Sequence, residues 1–316
     1  MSVAMPAAIM KSLASRMRFS RMLLPLLLGA AVAAPAQAKL RVFACEPEWG
    51  SLVHELAGDK VDVDVATSAL QDVHVIEAKP SLIAKLRAAD LLVCTGAELE
   101  VGWLPQLIRQ SGNTKVASGP GSFMAAAQVK TLEKPSAVDR ANGDVHPDGN
   151  PHVQLDPRRV LVIAQRLDAR LAQLDPANAA VYQQRLADFT TRWTAAMKRW
   201  QAEAAPLRGR KVVVHHISWV YLWDWLGIQQ IGALEPKPGV PPTSAHLSSL
   251  IATTKASNTL AIISAAYQDS KPANWLSERT GVPAVTLPYT VGGDAQSKDL
   301  FGLFDSTLAK LLGAAK

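Results

Sequence analysis

The sequence predicts an α/β protein of two lobes, each a mostly parallel sheet flanked by helices, joined by a long rigid helix. Two sets of short apolar runs alternate with stretches of helical periodicity, a pattern that is typical of parallel βαβ units. A long stretch of helix-forming residues without an internal glycine or proline separates the two sets. The chain of 316 residues is long enough for a leader and two domains of ordinary size.

The first set of elements predicts an N-terminal lobe at 39–175. Its strand-like runs are 40–45, 61–66, 90–95 and 114–117, and its helical runs are 49–57, 80–89 and 99–110. The second set repeats this layout and predicts a C-terminal lobe at 209–316. Its strand-like runs are 211–215, 229–232, 260–264 and 283–287, and its helical runs are 217–226, 244–256 and 272–280.

Between the lobes, residues 176–208 predict a linking helix. Asp156 and Asp175 each precede a proline, which is the arrangement of an N-cap residue followed by proline at the first helical position. These aspartates open the helical runs 157–173 and 176–204. At 1.5 Å per residue, the second run reaches roughly 40 Å, which is enough to brace both lobes.

Residues 1–38 have the composition of a cleavable export signal. A basic start without acidic residues precedes an apolar run at 22–34, and Ala36-Gln37-Ala38 has the small-x-small pattern of a cleavage site. The apolar run is shorter than the roughly 20 residues of a membrane span, and no cysteine follows it where lipid attachment would require one. We therefore expect a chain cleaved near Ala38, free in the periplasm and without stable membrane insertion. A retained N-terminal anchor is the alternative.

The charge distribution argues against a nucleic-acid partner. The whole chain has a formal charge of +6 from 33 basic and 27 acidic residues. Four of the basic residues lie in the leader, so the rest of the chain carries a charge of +2. A nucleic-acid-binding protein would present a basic stripe, which this small and evenly spread charge does not form.

The two cysteines, Cys45 and Cys94, each end a strand-like apolar run. In an oxidising compartment, a pair of cysteines indicates a disulfide, and both residues fit the same edge of one parallel sheet. Two buried free thiols are the alternative. Without a CxxC motif, the pair is a poor signal for a zinc site.

Three of the seven histidines lie where strands end or helices begin. His74 lies between a strand and a helix, His152 comes just before a helix N-cap, and His216 follows a strand-like run. Ligands of open α/β sheets bind at the carboxyl ends of strands, and three imidazoles there suit Zn²⁺. Asp72 and Glu77 are close enough in sequence to orient His74. A single histidine is more often a surface or hydrogen-bonded residue, so spacing does not establish convergence.

Three segments resemble the metal-binding proteins of zinc and manganese ABC importers, the cluster A-I or zinc-uptake and TroA-like family. The segment 72–77, followed by Pro80-Ser81, resembles Asp-Pro-His-x-x-Glu followed by Pro-Ser. The segment 151–157 resembles Pro-His-x-Trp-Leu-Asp-Pro, and the segment 216–221 resembles His-x-Ala-Phe-x-Tyr. The three segments occur in the family's order and cover essentially the whole chain after the leader.

This resemblance implies a binding protein and not an enzyme. It implies that His74, His152 and His216 are metal ligands in a cleft between the lobes, and that the linking helix is a stiff connection. The implied cargo is a divalent transition metal, with zinc preferred over manganese because manganese favours more oxygen ligands. The loaded protein, expected to be a monomer, would deliver its metal to the membrane permease of an ABC transporter.

The fourth ligand is the main departure from the family pattern. Relatives usually supply a carboxylate late in the chain, but the segment 263–267 has alanine where many relatives carry glutamate. The segment 287–294 lacks the usual Asp-Ser or Asp-Pro pair. Asp294, on a glycine-rich turn after a strand, is the nearest carboxylate and the predicted fourth ligand. A solvated turn aspartate, with water completing the site, is the alternative.

Two other histidines leave alternatives open. His215 adjoins His216, but neighbouring strand residues point to opposite faces, and the aromatic spacing that follows selects His216. His146 lies in the segment 119–151, whose glycine, proline, aspartate and asparagine content predicts a surface loop. Zinc-specific relatives often carry a long histidine-rich loop there. We interpret His146 as either an accessory site that concentrates metal or an ordinary loop histidine.

A zinc-dependent hydrolase is the competing function, because three histidines and an open position can activate water. Glu77 or Glu46 would act as its general base, but the sequence has no HExxH or HxH motif. A siderophore- or cobalamin-binding protein of similar fold is a further alternative, although aromatic and basic residues commonly hold those ligands. A surface adhesin is disfavoured by the missing lipid-attachment cysteine.

Overall fold

The computed structural model describes residues 38–136 and 143–315 of the chain. The predicted leader, apart from Ala38, and residues 137–142 of the predicted surface loop lie outside the described residues. The described part contains two parallel four-stranded sheets, each flanked by helices, with two long helices between them in sequence. The predicted two-lobe α/β architecture is therefore confirmed.

The strands of the first sheet are β1 (Leu40–Ala44), β2 (Val61–Val65), β3 (Leu91–Cys94) and β4 (Ser122–Met124). They pair in parallel in the order β2-β1-β3-β4. The helices of this lobe are α1 (Pro47–Ala57), α2 (Pro80–Ala88) and α3 (Leu104–Ser111). Each helix has a proline in its first turn, where the missing N–H has no helical partner to lose.

The fourth strand of this sheet corrects the sequence prediction of a strand at 114–117. Those residues form turns, and the side chain of Asn113 closes the first turn and ties the segment to the end of α2. Its amide donates to the carbonyls of Leu86 at 2.8 Å and Ala89 at 2.7 Å. Its oxygen accepts the N–H of Lys115 at 3.0 Å, which closes a local turn.

Cys45 and Cys94 form a disulfide, with their Cα atoms 4.8 Å apart. Cys45 directly follows β1 and Cys94 is the last residue of β3. Because β1 and β3 are neighbouring parallel strands, their carboxyl ends meet at one edge of the sheet. The predicted disulfide is confirmed, and the alternative of two free thiols is wrong.

Two long helices, α4 (Pro157–Leu174) and α5 (Ala179–Glu203), follow the first lobe and pack against each other. Asp156 caps α4 by accepting the N–H of Arg158 at 2.9 Å. The second predicted run begins as a short 3-10 turn at Pro176–Asn178 and continues as the 25 residues of α5. At 1.5 Å per residue, α5 is roughly 37 Å long.

The strands of the second sheet are β5 (Lys211–Val214), β6 (Gln229–Ala233), β7 (Thr259–Ala265) and β8 (Ala284–Leu287). They pair in parallel in the order β6-β5-β7-β8. The helices are α6 (Val220–Leu226), α7 (Ser244–Ala256), α8 (Lys271–Thr280) and α9 (Leu300–Ala314). The two sheets have the same strand order relative to the chain, as the repeated sequence layout predicts.

The long helix α5 contacts a helix of each lobe. In the first half of α5, Arg185 donates to the carbonyl of Glu55 on α1 at 3.0 Å, and near the middle Arg192 pairs with the Glu55 carboxylate at 2.5 Å. Near its end, the indole N–H of Trp200 donates to Asp305 on α9 at 2.5 Å. The helix α5 therefore contacts both lobes.

Candidate metal centre

Three histidines from distant parts of the sequence converge between the lobes. One ligand nitrogen from each of His74, His152 and His216 lies within 4.8 Å of the others. Their ring centroids are 5.6 to 6.0 Å apart. His152 and His216 are buried, and His74 is largely covered. The structure thus brings together the three histidines that the sequence analysis selected.

His74 is oriented by a carboxylate two residues before it, in the irregular segment between β2 and α2. Oδ1 of Asp72 accepts the backbone N–H of His74 at 3.0 Å and lies 2.7 Å from its Nδ1. The segment is anchored by the indole N–H of Trp103, which donates to the carbonyl of Val73 at 2.8 Å. Of the two acidic residues that the sequence suggests for this role, Asp72 makes the contact, whereas Glu77 is exposed.

His152 is held by groups from both lobes. Oδ1 of Asn150 accepts the backbone N–H of His152 at 3.1 Å, and the amide of Asn150 donates to the carbonyl of Ile217 at 2.9 Å. The phenolic oxygen of Tyr289, two residues beyond β8, lies 2.6 Å from Nδ1 of His152. The ring position therefore depends on contacts that exist only when both lobes are folded and docked.

His216 is held by Glu235. Nδ1 of His216 lies 2.7 Å from Oε2 of Glu235, which also accepts the backbone N–H of Gly239 at 2.9 Å. His216 lies two residues beyond β5, and Glu235 lies two residues beyond β6. Because β5 and β6 are neighbouring parallel strands, these two residues lie at the same edge of the sheet, beyond the carboxyl ends of the strands.

The sequence alone does not identify Glu235 or Tyr289 as partners of the histidines. A signal was present, because each residue comes just after a strand-like run, where the carboxyl ends of parallel strands meet. Nothing in the sequence indicated which histidine each would contact, since both contacts depend on sheet order and lobe docking.

All three histidines share one arrangement, in which Nδ1 is hydrogen-bonded to a side-chain oxygen. For the tautomer with its proton on Nδ1, the N–H donates to that oxygen and the lone pair of Nε2 points away from it. This is the arrangement that metal-ligating histidines usually have in proteins. Nε2 of His74 is buried, and it has no hydrogen-bond partner among the described residues. The donor set therefore fits a cation that prefers nitrogen, such as Zn²⁺.

The surroundings of each ring set its protonation. Complete burial, together with the neighbouring imidazoles, lowers the pKa of His152 well below its ordinary value, so this ring is neutral. Burial also opposes protonation of His74, but the hydrogen bond and the charge of Asp72 outweigh it and raise the pKa of His74. Asp72 thus makes His74 the more basic nitrogen ligand of these two.

The mouth of the site is acidic. A cavity of about 450 Å³ opens beside the histidines, and its lining includes four carboxylates, those of Asp72, Asp144, Glu235 and Asp269. A cleft lined by charges of one sign raises the local concentration of the opposite ion. This opening is therefore suited to attracting cations.

Three buried glutamates, Glu46, Glu48 and Glu100, also lie in the first lobe. Burial and the charge of nearby Glu100 raise the pKa of Glu46 well above its ordinary value, and burial raises the pKa of Glu48 to about 7. Oε2 of Glu46 accepts the N–H of Thr95 at 3.2 Å and its hydroxyl at 3.1 Å. Glu46 is not part of the histidine group, so the geometry gives no support to its role as the base of a hydrolase.

Asp294 lies outside the histidine group. Its Oδ1 accepts the backbone N–H groups of Gln296 and Ser297 at 3.1 and 2.9 Å. Its Oδ2 accepts the hydroxyl of Ser306 at 2.6 Å and pairs with Lys310 at 3.5 Å. Both oxygens are thus engaged within the second lobe, as expected for a structural turn aspartate. The structure does not bring this predicted fourth ligand to the site.

His215 and His146 lie close to the three converging histidines. His215 lines the same cavity as His216, because both residues come after the end of β5, where the alternation of strand faces no longer applies. His215 is not part of the group. His146 lies next to it, with its ring centroid 5.7 Å from that of His74. Burial, and then the charge of His74, lower the pKa of His146 to about 4.

Comparisons with known proteins identify the family of this chain. The family model for the periplasmic zinc-uptake complex component A, ZnuA, matches residues 42–314. The manganese ABC transporter substrate-binding lipoprotein PsaA of Streptococcus mitis is 22% identical over 266 residues, 83% of each chain. The high-affinity zinc uptake system protein ZnuA of Bacillus subtilis is 23% identical over 250 residues, which cover 78% of this chain and 76% of that protein.

A solved structure shares the whole fold. A crystal structure of ZnuA matches with a TM-score of 0.75 and 25% identity, covering 88% of this chain and all of that one. Among the described residues, no helix combines the length and apolar character needed to cross a bilayer. With the family model matching nearly the whole chain after the predicted leader, this chain belongs to the zinc-uptake complex component A family, the extracytoplasmic metal-binding proteins of ABC importers, which are solute-binding proteins and not enzymes.

Proposed function

We propose that this protein captures one divalent transition metal ion, mainly zinc, between the Nε2 atoms of His74, His152 and His216 and delivers it to an ABC permease. The convergence of these three ligands within 4.8 Å carries the proposal. The oxygen partners at each Nδ1 support it, because they orient the rings without occupying Nε2. The acidic cavity supplies a path along which a cation is attracted.

Zinc is the cargo that the donor set favours. Imidazole nitrogens suit zinc, whereas manganese favours carboxylate, carbonyl and water oxygens. The carboxylates of Asp72 and Glu235 are engaged with the histidines, and Asp294 is engaged within its own lobe. Manganese is the secondary cargo, in keeping with the manganese transporter among the relatives.

Transport requires release as well as capture, and the helix α5 limits how release occurs. Because α5 is fastened to α1 and to α9, we propose that the lobes adjust locally when the metal leaves. The domain layout that goes with this proposal is an N-terminal lobe at 39–175, a linking helix at 176–208 and a C-terminal lobe at 209–316. Metal-free and zinc-bound crystal structures that differ by a large lobe rotation would contradict this part of the proposal.

The working form of the protein is proposed to be free in the periplasm, starting near Lys39 after cleavage at Ala38. The compact unit that begins at Lys39 supports this boundary. N-terminal sequencing and mass spectrometry of the protein from a periplasmic extract test it. A retained leader or an added lipid mass would contradict it.

Metal binding is tested on the protein from Lys39, purified without added metal, by competition with a chromophoric chelator. We expect one tightly bound zinc ion per chain and weaker manganese binding. Mutation of an outer partner of a metal ligand weakens metal binding by about 10–100-fold. His216→Ala removes the ligand itself, so it should weaken zinc binding by more than about 100-fold. His54→Ala, which removes an exposed histidine on α1, is the matched control.

The outcomes separate capture from catalysis. Equal zinc binding by wild type and His216→Ala would show that the three-histidine site is not the capture site. Hydrolysis of esters, peptides or phosphates that depends on the bound zinc would support the hydrolase instead. A chain that binds zinc tightly without such activity is the expected result.

A further inference from the structure

His146 lies beside the three histidines with a free ring nitrogen. Its ring centroid is 5.7 Å from that of His74 and 6.5 Å from that of His152. Its Nε2 is buried and has no hydrogen-bond partner within the part of the chain that the structure describes. Nε2 of His74 is in the same condition. Two neighbouring imidazole nitrogens that are buried without partners are unfavourable, and a shared cation would satisfy both.

A zinc site built from His74, His152 and His216 has one coordination position left, because zinc in proteins is usually four-coordinate and tetrahedral. Imidazole ligands at the usual Zn–N distance of about 2.0–2.1 Å have ring centroids roughly 5 Å apart. The centroids of the three histidines are 5.6 to 6.0 Å apart, and those involving His146 are 5.7 and 6.5 Å apart. His146 is not among the residues whose ligand atoms lie within 4.8 Å of one another, so its ring has to shift inward to complete a tetrahedral site with the other three.

The nearby carboxylates are less suited to the fourth position. Asp72 and Glu235 each accept a hydrogen bond from a histidine of the group. Asp294 is bonded within its own turn and to Ser306 on α9. Asp144 and Asp269 line the cavity but are exposed. Nε2 of His146 is buried without a partner among the described residues, so it can bind a metal without giving up an existing hydrogen bond.

The residues just before His146 contact the second lobe. The backbone N–H of Asp144 donates to the carbonyl of Pro238 at 2.9 Å. A Cβ added at Gly143 would lie only 2.3 Å from that same oxygen, and Gly143 has a φ of +86°. Pro238 belongs to the short segment that follows Glu235, the partner of His216. The loop that carries His146 therefore contacts the same segment that positions His216.

We infer that His146 is the fourth ligand, which makes the cargo site an all-imidazole site closed by the loop 143–149. This inference rests on the proposed metal capture by the other three histidines and assigns the residue that sets metal selectivity. Four nitrogen ligands favour zinc, and they disfavour manganese more strongly than three nitrogens and a carboxylate would. His146 is thereby a cargo ligand and not only an accessory site that concentrates metal.

Cobalt(II) is the probe, because its visible absorption reports coordination number and ligand type when it replaces zinc. The full chain from Lys39 is loaded with one Co²⁺ and titrated with azide, which binds only where a water ligand can be displaced. We expect no azide-induced spectral change in wild type and a clear change in His146→Ala. We also expect zinc affinity to fall at least about tenfold in His146→Ala, within the range for disturbed metal sites.

Two matched variants separate the competing ligands. Asp148→Asn changes an exposed residue of the same loop without removing an imidazole, and Asp294→Asn removes the carboxylate that the sequence suggested. Both should behave like wild type. Azide binding by wild-type Co²⁺-protein, or an unchanged response in His146→Ala, would overturn the inference while leaving metal capture intact. An azide response confined to Asp294→Asn would also overturn it. Failure of wild type to bind cobalt or zinc at all would instead count against the proposed function.

Discussion

The phenolic oxygen of Tyr289 lies 2.6 Å from Nδ1 of His152, although 137 residues separate them along the chain. Tyr289 follows the last strand of the second sheet, and His152 precedes the first long helix after the first sheet. The contact crosses the cleft, so the orientation of this histidine requires both lobes. His74 and His216 are instead oriented by carboxylates from their own lobes.

Tyr289→Phe should weaken zinc binding by about 10–100-fold, because it removes the outer hydrogen bond and leaves the buried ring in place. Chelator competition measures the change. Glu235→Gln, which replaces the partner of His216 by a neutral acceptor, is a comparison at a second ligand. An unchanged zinc affinity in Tyr289→Phe would mean that the phenol does not orient His152 in the loaded protein.

His146→Asp should shift metal preference towards manganese. The substitution replaces a proposed nitrogen ligand by a carboxylate, and oxygen ligands suit manganese better than nitrogen does. We expect the ratio of zinc affinity to manganese affinity to fall at least about tenfold, the lower end of the usual range for altered metal sites. Asp148→Asn should leave this ratio unchanged. A ratio equal to that of wild type would argue against a ligand at position 146.

Glu48→Gln should remove part of the pH dependence of folding stability. Burial raises the pKa of Glu48 from about 4.5 to about 7, so the folded protein binds this proton more tightly than the unfolded chain. The resulting stabilisation is complete below about pH 4.5 and is lost as pH rises through about 7. The loss amounts to about 3 kcal/mol at most.

Urea denaturation of the metal-free protein at pH 5 and pH 8 measures this effect. From pH 5 to pH 8, wild type should lose stability that Glu48→Gln keeps. The free energy of unfolding of the variant minus that of wild type should therefore be larger at pH 8 than at pH 5. The comparison cancels the contribution of the buried histidines, which both proteins share. A constant difference between the variants would show that Glu48 does not titrate in this range.

Removal of the disulfide should lower stability without removing the metal site. The crosslink between Cys45 and Cys94 closes a separation of 49 residues, and the chain-entropy estimate for such a loop is about 4 kcal/mol. The double variant Cys45→Ala/Cys94→Ala should therefore unfold at a lower urea concentration. Its zinc affinity should stay within about tenfold of wild type, because neither cysteine belongs to the histidine group. A loss of zinc binding by the folded variant would show that the disulfide positions the site.

Most helices and strands of this protein can be predicted from its sequence. Alternating apolar runs and helical periodicity predict two parallel sheets, and Asp156 before a proline predicts the start of α4. Motifs of three short segments single out His74, His152 and His216. These features depend on neighbours within a few residues, where backbone preference, capping and side-chain period act directly. The strand predicted at 114–117 is wrong, since those residues form turns. Asn113 just before them bonds the carbonyls of Leu86 and Ala89, 27 and 24 residues away, which a pattern of apolar residues does not reveal.

Which side chains contact each other across the cleft depends instead on how the two lobes pack together. The contacts of Tyr289 with His152 and of Thr290 with Glu48 join residues far apart in sequence. Asp294 follows a strand, as a ligand would, yet its carboxylate accepts a hydrogen bond from Ser306 on α9. His146 looks like one more loop residue in sequence, yet its ring lies 5.7 Å from that of His74. Such contacts follow from sheet order and lobe docking, because a side chain bonds whichever group the folded chain brings within about 3 Å.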